Sequence, residues 1–300
     1  GYTALVAEGR SAEAVALIRK DNPFPTACGY VCEHPCEKRC RRTLIDAPIN
    51  IRAIKKYACD QAAADTVPTP KRQPDTGRTI AVIGGGPAGL TCAYFLALMG
   101  HRVTVFEERA QLGGMLRYGI PAYRFPRERL DEDIRGILNA GTITARCGEA
   151  VGAHEMAEIA DTYHAVYVSI GAQTGKSLRI DGVDAEGVVS AVDLLGAIGD
   201  GDYPDFTGKR VVVVGGGNVA MDATRTAKRL GAASVTCVYR RRIEDMTAAR
   251  EEIEGAIAEG CEIMPMLSPV RIETEDDRAV GIAVQPQLSG PIENGRPKPI

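Results

Sequence analysis

The chain has 300 residues, about twice a typical single domain, and its 36 basic and 39 acidic side chains leave a formal net charge of -3. That near-balance gives no sign of a nucleic acid or another polyanion as partner, and none is expected. Hydrophobic residues make up 45% of the sequence, yet no apolar run reaches the roughly 18 to 20 residues that cross a bilayer, so no membrane partner is expected.

The first residues, "GYTALVAEGR", carry neither the basic start nor the apolar stretch of a secretory signal, and a cytoplasmic location is expected. An opening glycine and an abrupt end at "GRPKPI" suggest a piece of something longer. "EGRSAEAVALIRKDNPFP" reads as a short helix, with Ser11 as its cap, Val15, Leu17 and Ile18 as its apolar face, and Pro23 and Pro25 as its stop.

The next stretch, "CGYVCEHPCEKRC", holds four of the nine cysteines, Cys28, Cys32, Cys36 and Cys40, each four residues after the last. Disulfides are disfavoured in a reducing compartment, and a redox-active dithiol needs C-x-x-C, which the chain lacks. Zinc stays open, with His34 at hand, although two-residue spacers are its usual form. The cysteine density favours iron–sulfur chemistry, although three-residue spacers are not the common ferredoxin pattern. A second helix is expected over residues 51–64, and "DTVPTPKRQPDTGR" then separates two bodies of sequence near residue 70.

Beyond it, β-branched runs alternate with helical segments, as in parallel α/β architecture. "RTIAVIGGGPAGLTCAYFLALMGHRVTVFEER" is a strand, a glycine turn, a helix and a strand, and "KRVVVVGGGNVAMDATRTAKRLGAASVTCVYRR" repeats that unit 131 residues later. In the first unit Gly84, Gly86 and Gly89 fit the G-x-G-x-x-G turn that brings backbone N–H groups to a pyrophosphate. Pro87, Ala88 and Leu90 complete the turn and enter the helix. Glu107, ending the second strand, is placed to accept hydrogen bonds from both hydroxyls of an adenosine ribose.

In the second unit Gly215, Gly217 and Ala220 fill the same places, with Asn218 and Val219 between them, but alignment puts Tyr239 where Glu107 stood, followed by Arg240, Arg241 and Arg242. A carboxylate there would repel a 2′-phosphate, whereas guanidinium groups pair with it. The first site therefore reads as FAD and the second as NADPH, with Arg240 and Arg241 as the phosphate ligands. "AQLGGMLRYGIPAYRFP", with Gly113 and Gly114, is a loop suited to lie against a flat ring system.

"NPFPTACGYVCEHPCEKRC", "PINIRAIKKYACD", "GGMLRYGIPAYRFP", "SIGAQTGKSLRIDG", "GGGNVAMD" and "VYRRRIEDM" stand in the order found in the small subunit of NADPH-dependent glutamate synthase, and over nearly its whole length the chain resembles that family. It is similar also to the flavin end of dihydropyrimidine dehydrogenase and to the large subunit of NADH-dependent ferredoxin:NADP oxidoreductase. The resemblance implies an α/β protein with two Rossmann-like dinucleotide-binding domains, for FAD and NADPH, preceded by a small α-helical domain with [4Fe-4S] clusters. The expected divisions are residues 1–70 for the cluster domain, 75–204 for the first part of the FAD domain, and 205–300 for the NADPH domain.

By the same likeness Met115, Gly114 and Arg124 join the FAD site. Cys32, Cys36 and Cys40 are ligands divided between two clusters, Cys28 is not generally one, and further cysteines come from a segment upstream of Gly1. A glutamine or glutamate that completes one cluster in relatives is Lys55 here, and a protonated lysine has no lone pair to offer. Cys59, one turn on, Cys28 and a solvent ligand are the open alternatives for that place. Two strands joined by a turn are expected after Pro269, without the return to the FAD domain found in relatives. The leading expectation is an oxidoreductase passing electrons from NADPH through FAD to iron–sulfur centres of a partner subunit or domain, resembling a glutamate synthase large subunit or another reductase or dehydrogenase. A self-contained reductase of a disulfide or small molecule, and a non-catalytic assembly subunit, are the alternatives.

Overall fold

The structure, a computed structural model, describes residues 1–62 and 66–300, so the last residues of the helix expected over 51–64 lie outside the described residues. The chain forms two units, Gly1–Arg117 with Ala122–Ala172, and Tyr118–Pro121 with Gln173–Ile300. No described helix is long and apolar enough to cross a membrane.

The first unit begins with α1 (Tyr2–Ala7), α2 (Ser11–Arg19), α3 (Pro25–Val31), α4 (Pro35–Lys38) and α5 (Ile51–Gln61). Ser11 does not cap α2: Arg10 holds the N-cap position without a side-chain bond, while Ser11 is the first helical residue and is buried. Pro25 and Pro35 each open a helix, where a missing N–H costs nothing. Asn50 caps α5, its side chain accepting from the Ala53 amide at 3.4 Å.

An α/β body follows, built from β1 (Thr79–Ile83), α6 (Pro87–Leu98), β2 (Arg102–Glu107), α7 (Met115–Tyr118), α8 (Arg127–Leu138), β3 (Ile143–Cys147), α9 (Ala153–Thr162) and β4 (Ala165–Val168). The sheet is parallel in the order β3-β2-β1-β4. This is the mononucleotide-binding arrangement of a doubly wound fold, whose crevice lies at the carboxyl ends of the central strands. Four of the five β1 residues are buried, the unbroken apolar run that a parallel strand covered on both faces requires.

The second unit holds α10 (Ala191–Gly199), β5 (Arg210–Val214), α11 (Asn218–Arg229), β6 (Ser234–Tyr239), α12 (Arg250–Ala258) and β7 (Glu262–Pro265), with the three strands parallel in the order β5-β6-β7. Two hairpins follow, β8 (Leu267–Glu275) with β9 (Arg278–Pro286), and β10 (Ser289–Glu293) with β11 (Arg296–Pro299). Their two-residue loops, Asp276-Asp277 and Asn294-Gly295, have φ above zero at both positions, the geometry that matches strand twist in tight hairpins.

One buried carboxylate joins the helical layer to the α/β body of the first unit. Asp133 on α8 is fully buried and accepts from the Thr26 and Ala27 amides at 3.3 and 2.9 Å, so it satisfies the open N-terminus of α3 from 106 residues away in sequence. Burial pushes its carboxyl up to about 6, against the pull of the α3 N–H groups and Arg19. The folded value lies above the roughly 3.9 of an unfolded aspartate. The folded state therefore binds the proton more tightly, and the Asp133 contribution to stability falls as pH rises from about 4 to 6, then levels. Asp133→Ala is expected to cost about 2 kcal/mol at pH 7 through the two abandoned N–H groups, and urea unfolding should show that loss shrinking as pH rises from 4 to 6. A gap that widens over that window would contradict the assignment.

Candidate nucleotide and cluster sites

In the first unit the strand register sets the site. Ile83 pairs with Phe106, and the Gly84 amide donates to the Phe106 carbonyl at 2.8 Å, so the next residue, Glu107, stands beside the glycine turn. Its carboxylate is 6% exposed; Oε2 accepts from the Gly85 amide at 2.8 Å and Oε1 from the Arg109 amide at 2.9 Å. A carboxylate accepts about four hydrogen bonds, so these two fix its orientation and leave capacity for ribose hydroxyls.

Gly84 has φ of +102° and a Cβ there would overlap the Ser169 carbonyl, while a Cβ on Gly89 would overlap the Gly84 carbonyl oxygen. The Ser169 hydroxyl braces the turn, within hydrogen-bond reach of the Ile83 and Gly84 carbonyls at 3.0 and 3.2 Å. Gly86 is the N-cap of α6, Pro87 its first residue, Ala88 is exposed, and Leu90 is fully buried and fixes the helix on the sheet. The open N–H groups and positive dipole end of this 12-residue helix suit a pyrophosphate.

The glycine loop lies against the same turn. The Gly113 amide donates to the Gly85 carbonyl at 2.9 Å, and a Cβ on Gly114 would stand 2.6 Å from the Gly86 Cα. Met115 opens α7, and half-buried Arg124 precedes α8. Sequence reasoning missed Arg117. This guanidinium is buried, donates through Nε to the Leu112 carbonyl at 2.7 Å and pairs with Asp131, so it locks the loop from behind. An arginine three residues after a Gly-Gly pair was the available signal.

The second unit repeats the geometry with different chemistry. Val214 pairs with Val238, and the Gly215 amide donates to the Val238 carbonyl at 3.0 Å, so Tyr239 takes the place that Glu107 holds in the first unit. A Cβ on Gly216 would lie 2.5 Å from the Tyr239 ring, whose hydroxyl donates to the Asp245 carbonyl at 2.9 Å. No carboxylate faces this turn from that position. Gly217 is the N-cap of α11, Ala220 is buried against the core, and Val219 is 48% exposed at the helix start. The Asn218 side chain accepts from the Ala249 amide at 2.8 Å, tying α11 to the start of α12.

The three arginines after β6 diverge. Arg240 is exposed, Arg241 is half-buried with Nε donating to the Pro297 carbonyl at 2.7 Å, and Arg242 pairs with Asp245 at 2.9 Å. Both turns fit an adenine dinucleotide: each is a cradle at a helix N-terminus that larger side chains would fill.

The four cysteines sit on different local elements. Cys28 lies on α3, Cys32 caps its end, Cys36 is exposed on α4, and Cys40 precedes a 3-10 turn. The Cys32 Sγ accepts from the His34 amide at 3.3 Å, with His34 held at φ of 40°. Backbone N–H groups of Ile49 and Arg42 draw the Cys40 thiol down, whereas burial is the main cause that pushes Cys28 up. Among the described residues no three His, Cys, Asp or Glu side chains converge as a single metal ion requires. Cys59 packs with Ala14, Val15 and Ala58, and burial pushes its thiol up to about 12, while the Lys55 ammonium lies 5.8 Å from the centroid of the Tyr2 ring.

Residues 78–288, well over half of the chain, match the family described as pyridine nucleotide-disulphide oxidoreductase. The chain belongs to that family. Membership brings FAD and a nicotinamide nucleotide as cofactors. Residues 1–67 match dihydropyrimidine dehydrogenase domain II, 4Fe-4S cluster, which makes the N-terminal helices a cluster domain by family.

Among family relatives, the chain is 36% identical over 309 residues to the NADPH-Fe(3+) oxidoreductase subunit beta of Geobacter sulfurreducens, covering 99% of this chain and 45% of that protein. It is 34% identical to the NADP(+)-dependent formate dehydrogenase subunit beta of Moorella thermoacetica, covering 100% of this chain and 46% of that one. It is 35% identical to the glutamate synthase [NADPH] small chain of Halomonas elongata, covering 98% and 65%. The resemblance read from the motifs is borne out, and the chain spans less than two thirds of the length of these relatives. The fold matches that of Mycobacterium tuberculosis FprA in complex with NADPH, with a TM-score of 0.61 and 19% identity over 76% of this chain and 67% of that one. A 2-naphthoyl-CoA reductase complex matches at the same TM-score over 94% of this chain and 42% of that one.

Proposed function

We propose that the chain is the nucleotide-handling part of a cytoplasmic NADPH-dependent flavoprotein subunit, which takes electrons from NADPH and passes them to an electron-accepting partner subunit. The observation that carries this reading is the exchange at one register position: Glu107 beside the first turn, Tyr239 followed by Arg240 and Arg241 beside the second. Gly84, Gly86, Pro87, Ala88, Gly89 and Leu90 form the cradle for the FAD pyrophosphate, and Glu107 orients the adenosine ribose. Gly114, Met115 and Arg124 shape the loop that excludes water from the flavin side, with Arg117 holding that loop in place. Gly215, Gly217, Asn218, Val219 and Ala220 receive the NADPH pyrophosphate, and Arg240 and Arg241 the 2′-phosphate. Bound flavin supplies the conversion between two-electron nicotinamide chemistry and one-electron carriers.

Support for a partner comes from the relatives, two of which are named as beta subunits and one as a small chain. Nine unbridged cysteines accord with a reducing compartment. In anaerobic mixing of the flavin-loaded protein with reduced nucleotide, NADPH is expected to bleach the flavin bands roughly tenfold or more faster than NADH at equal low concentration. Equal or faster bleaching by NADH would overturn the reading.

A further inference from the structure

The C-terminal hairpin is built onto Arg241. The Arg241 carbonyl accepts from the Met266 amide at 3.0 Å, and Met266, held at φ of 59° where β7 turns into β8, passes its own carbonyl to the Gln287 amide at 2.8 Å. Leu288 and Ile300 then close the base of the β10–β11 hairpin with reciprocal backbone bonds of 2.7 and 3.0 Å. The hairpin returns to the same arginine, because the Pro297 carbonyl accepts from Arg241 Nε at 2.7 Å. Arg240, Arg241, Ser289 and Lys298 consequently border one tight surface recess just past the end of β6. Asp245 lines it too, with its charge offset by Arg242 at 2.9 Å.

We infer that the β10–β11 hairpin is the second wall of the 2′-phosphate site, with the Pro297 carbonyl as the group that orients Arg241 and Lys298 as a further specificity residue. This rests on the reading of the second turn as an NADPH site. With Nε engaged, the end-on pair of Nη N–H groups of the Arg241 guanidinium faces away from that bond toward a phosphate. Lys298, next to Pro297 on β11, adds an exposed cation. Its ammonium lies 3.2 Å from Glu293, and both side chains are more than half exposed, so that pair is weak and a dianionic phosphate competes for the lysine.

The test is calorimetric titration of the intact protein with 2′-phospho-ADP-ribose and with ADP-ribose, ligands that differ only in the phosphate. Lys298→Ala is expected to raise the Kd of the phosphorylated ligand about fivefold, and Glu293→Gln to lower it about twofold; neither should change the Kd for ADP-ribose. Opposite signs from two exposed neighbours exclude a common loss of fold. If Lys298→Ala leaves both Kd values unchanged, or raises them equally, the inference is overturned. If that happens while Arg240→Ala still weakens the phosphorylated ligand alone, the NADPH reading stands without it. If the unaltered protein binds both ligands equally, the NADPH reading itself has failed.

Discussion

Replacing Gly89 by alanine is expected to give protein that retains almost no FAD and is less stable by more than about 3 kcal/mol. The added methyl would overlap the Gly84 carbonyl oxygen and stand 2.7 Å from the Ser169 hydroxyl and 3.0 Å from the Val82 side chain. Two of these neighbours cannot swing aside. Gly84 is pinned by its amide bond to Phe106, and Val82 is fully buried in the central strand. To admit the methyl, α6 has to move off the sheet, and its N-terminal N–H groups move away from the pyrophosphate with it.

The second unit supplies the control. Its equivalent residue, Ala220, already carries a methyl and is 8% exposed, so that turn accommodates the larger residue. Ala220→Gly should therefore cost only about 1 kcal/mol, the helix-propensity term, and leave FAD content unchanged. Flavin-to-protein ratio after gel filtration, with urea unfolding of the same samples, checks both variants. Full flavin occupancy in Gly89→Ala would contradict the close packing of turn and helix.

The parts legible in the sequence are those carried by local pattern. Strand, turn and helix in each unit follow from apolar runs bracketing glycines, and the place of Glu107 follows from the fixed length of a strand–helix–strand unit. Of the stretch after Pro269, expected as two strands joined by a turn, β8 and β9 are that pair, and β10 and β11 form a second hairpin that the expectation lacked. What escaped depends on distant partners. Nothing near Asp133 announces that it caps α3, because folding brings together partners 106 residues apart. Asn294-Gly295 was a strong local hairpin signal, yet even with β10 and β11 placed, the bond from Arg241 to Pro297 spans 56 residues. The evenly spaced cysteines fall on a helix, an extended cap, a single-turn helix and the residue before a 3-10 turn, so their regular spacing does not translate into one repeated local conformation.

The arginine pair carries the other large effect. Each charge-assisted contact to phosphate contributes roughly 1.5 kcal/mol or more, about tenfold in Kd, and both side chains flank the recess past β6. NADH offers them only a hydroxyl, so their removal costs it little. The most direct measurement is thus equilibrium titration of the flavin-loaded Arg240→Ala, Arg241→Ala double variant with NADPH and with NADH. The expected result is an NADPH Kd raised about 100-fold, with NADH affinity and FAD content unchanged. An intact preference for NADPH in the double variant, or an NADH loss as large as the NADPH loss, would contradict the division of the two turns between a bare and a phosphorylated ribose.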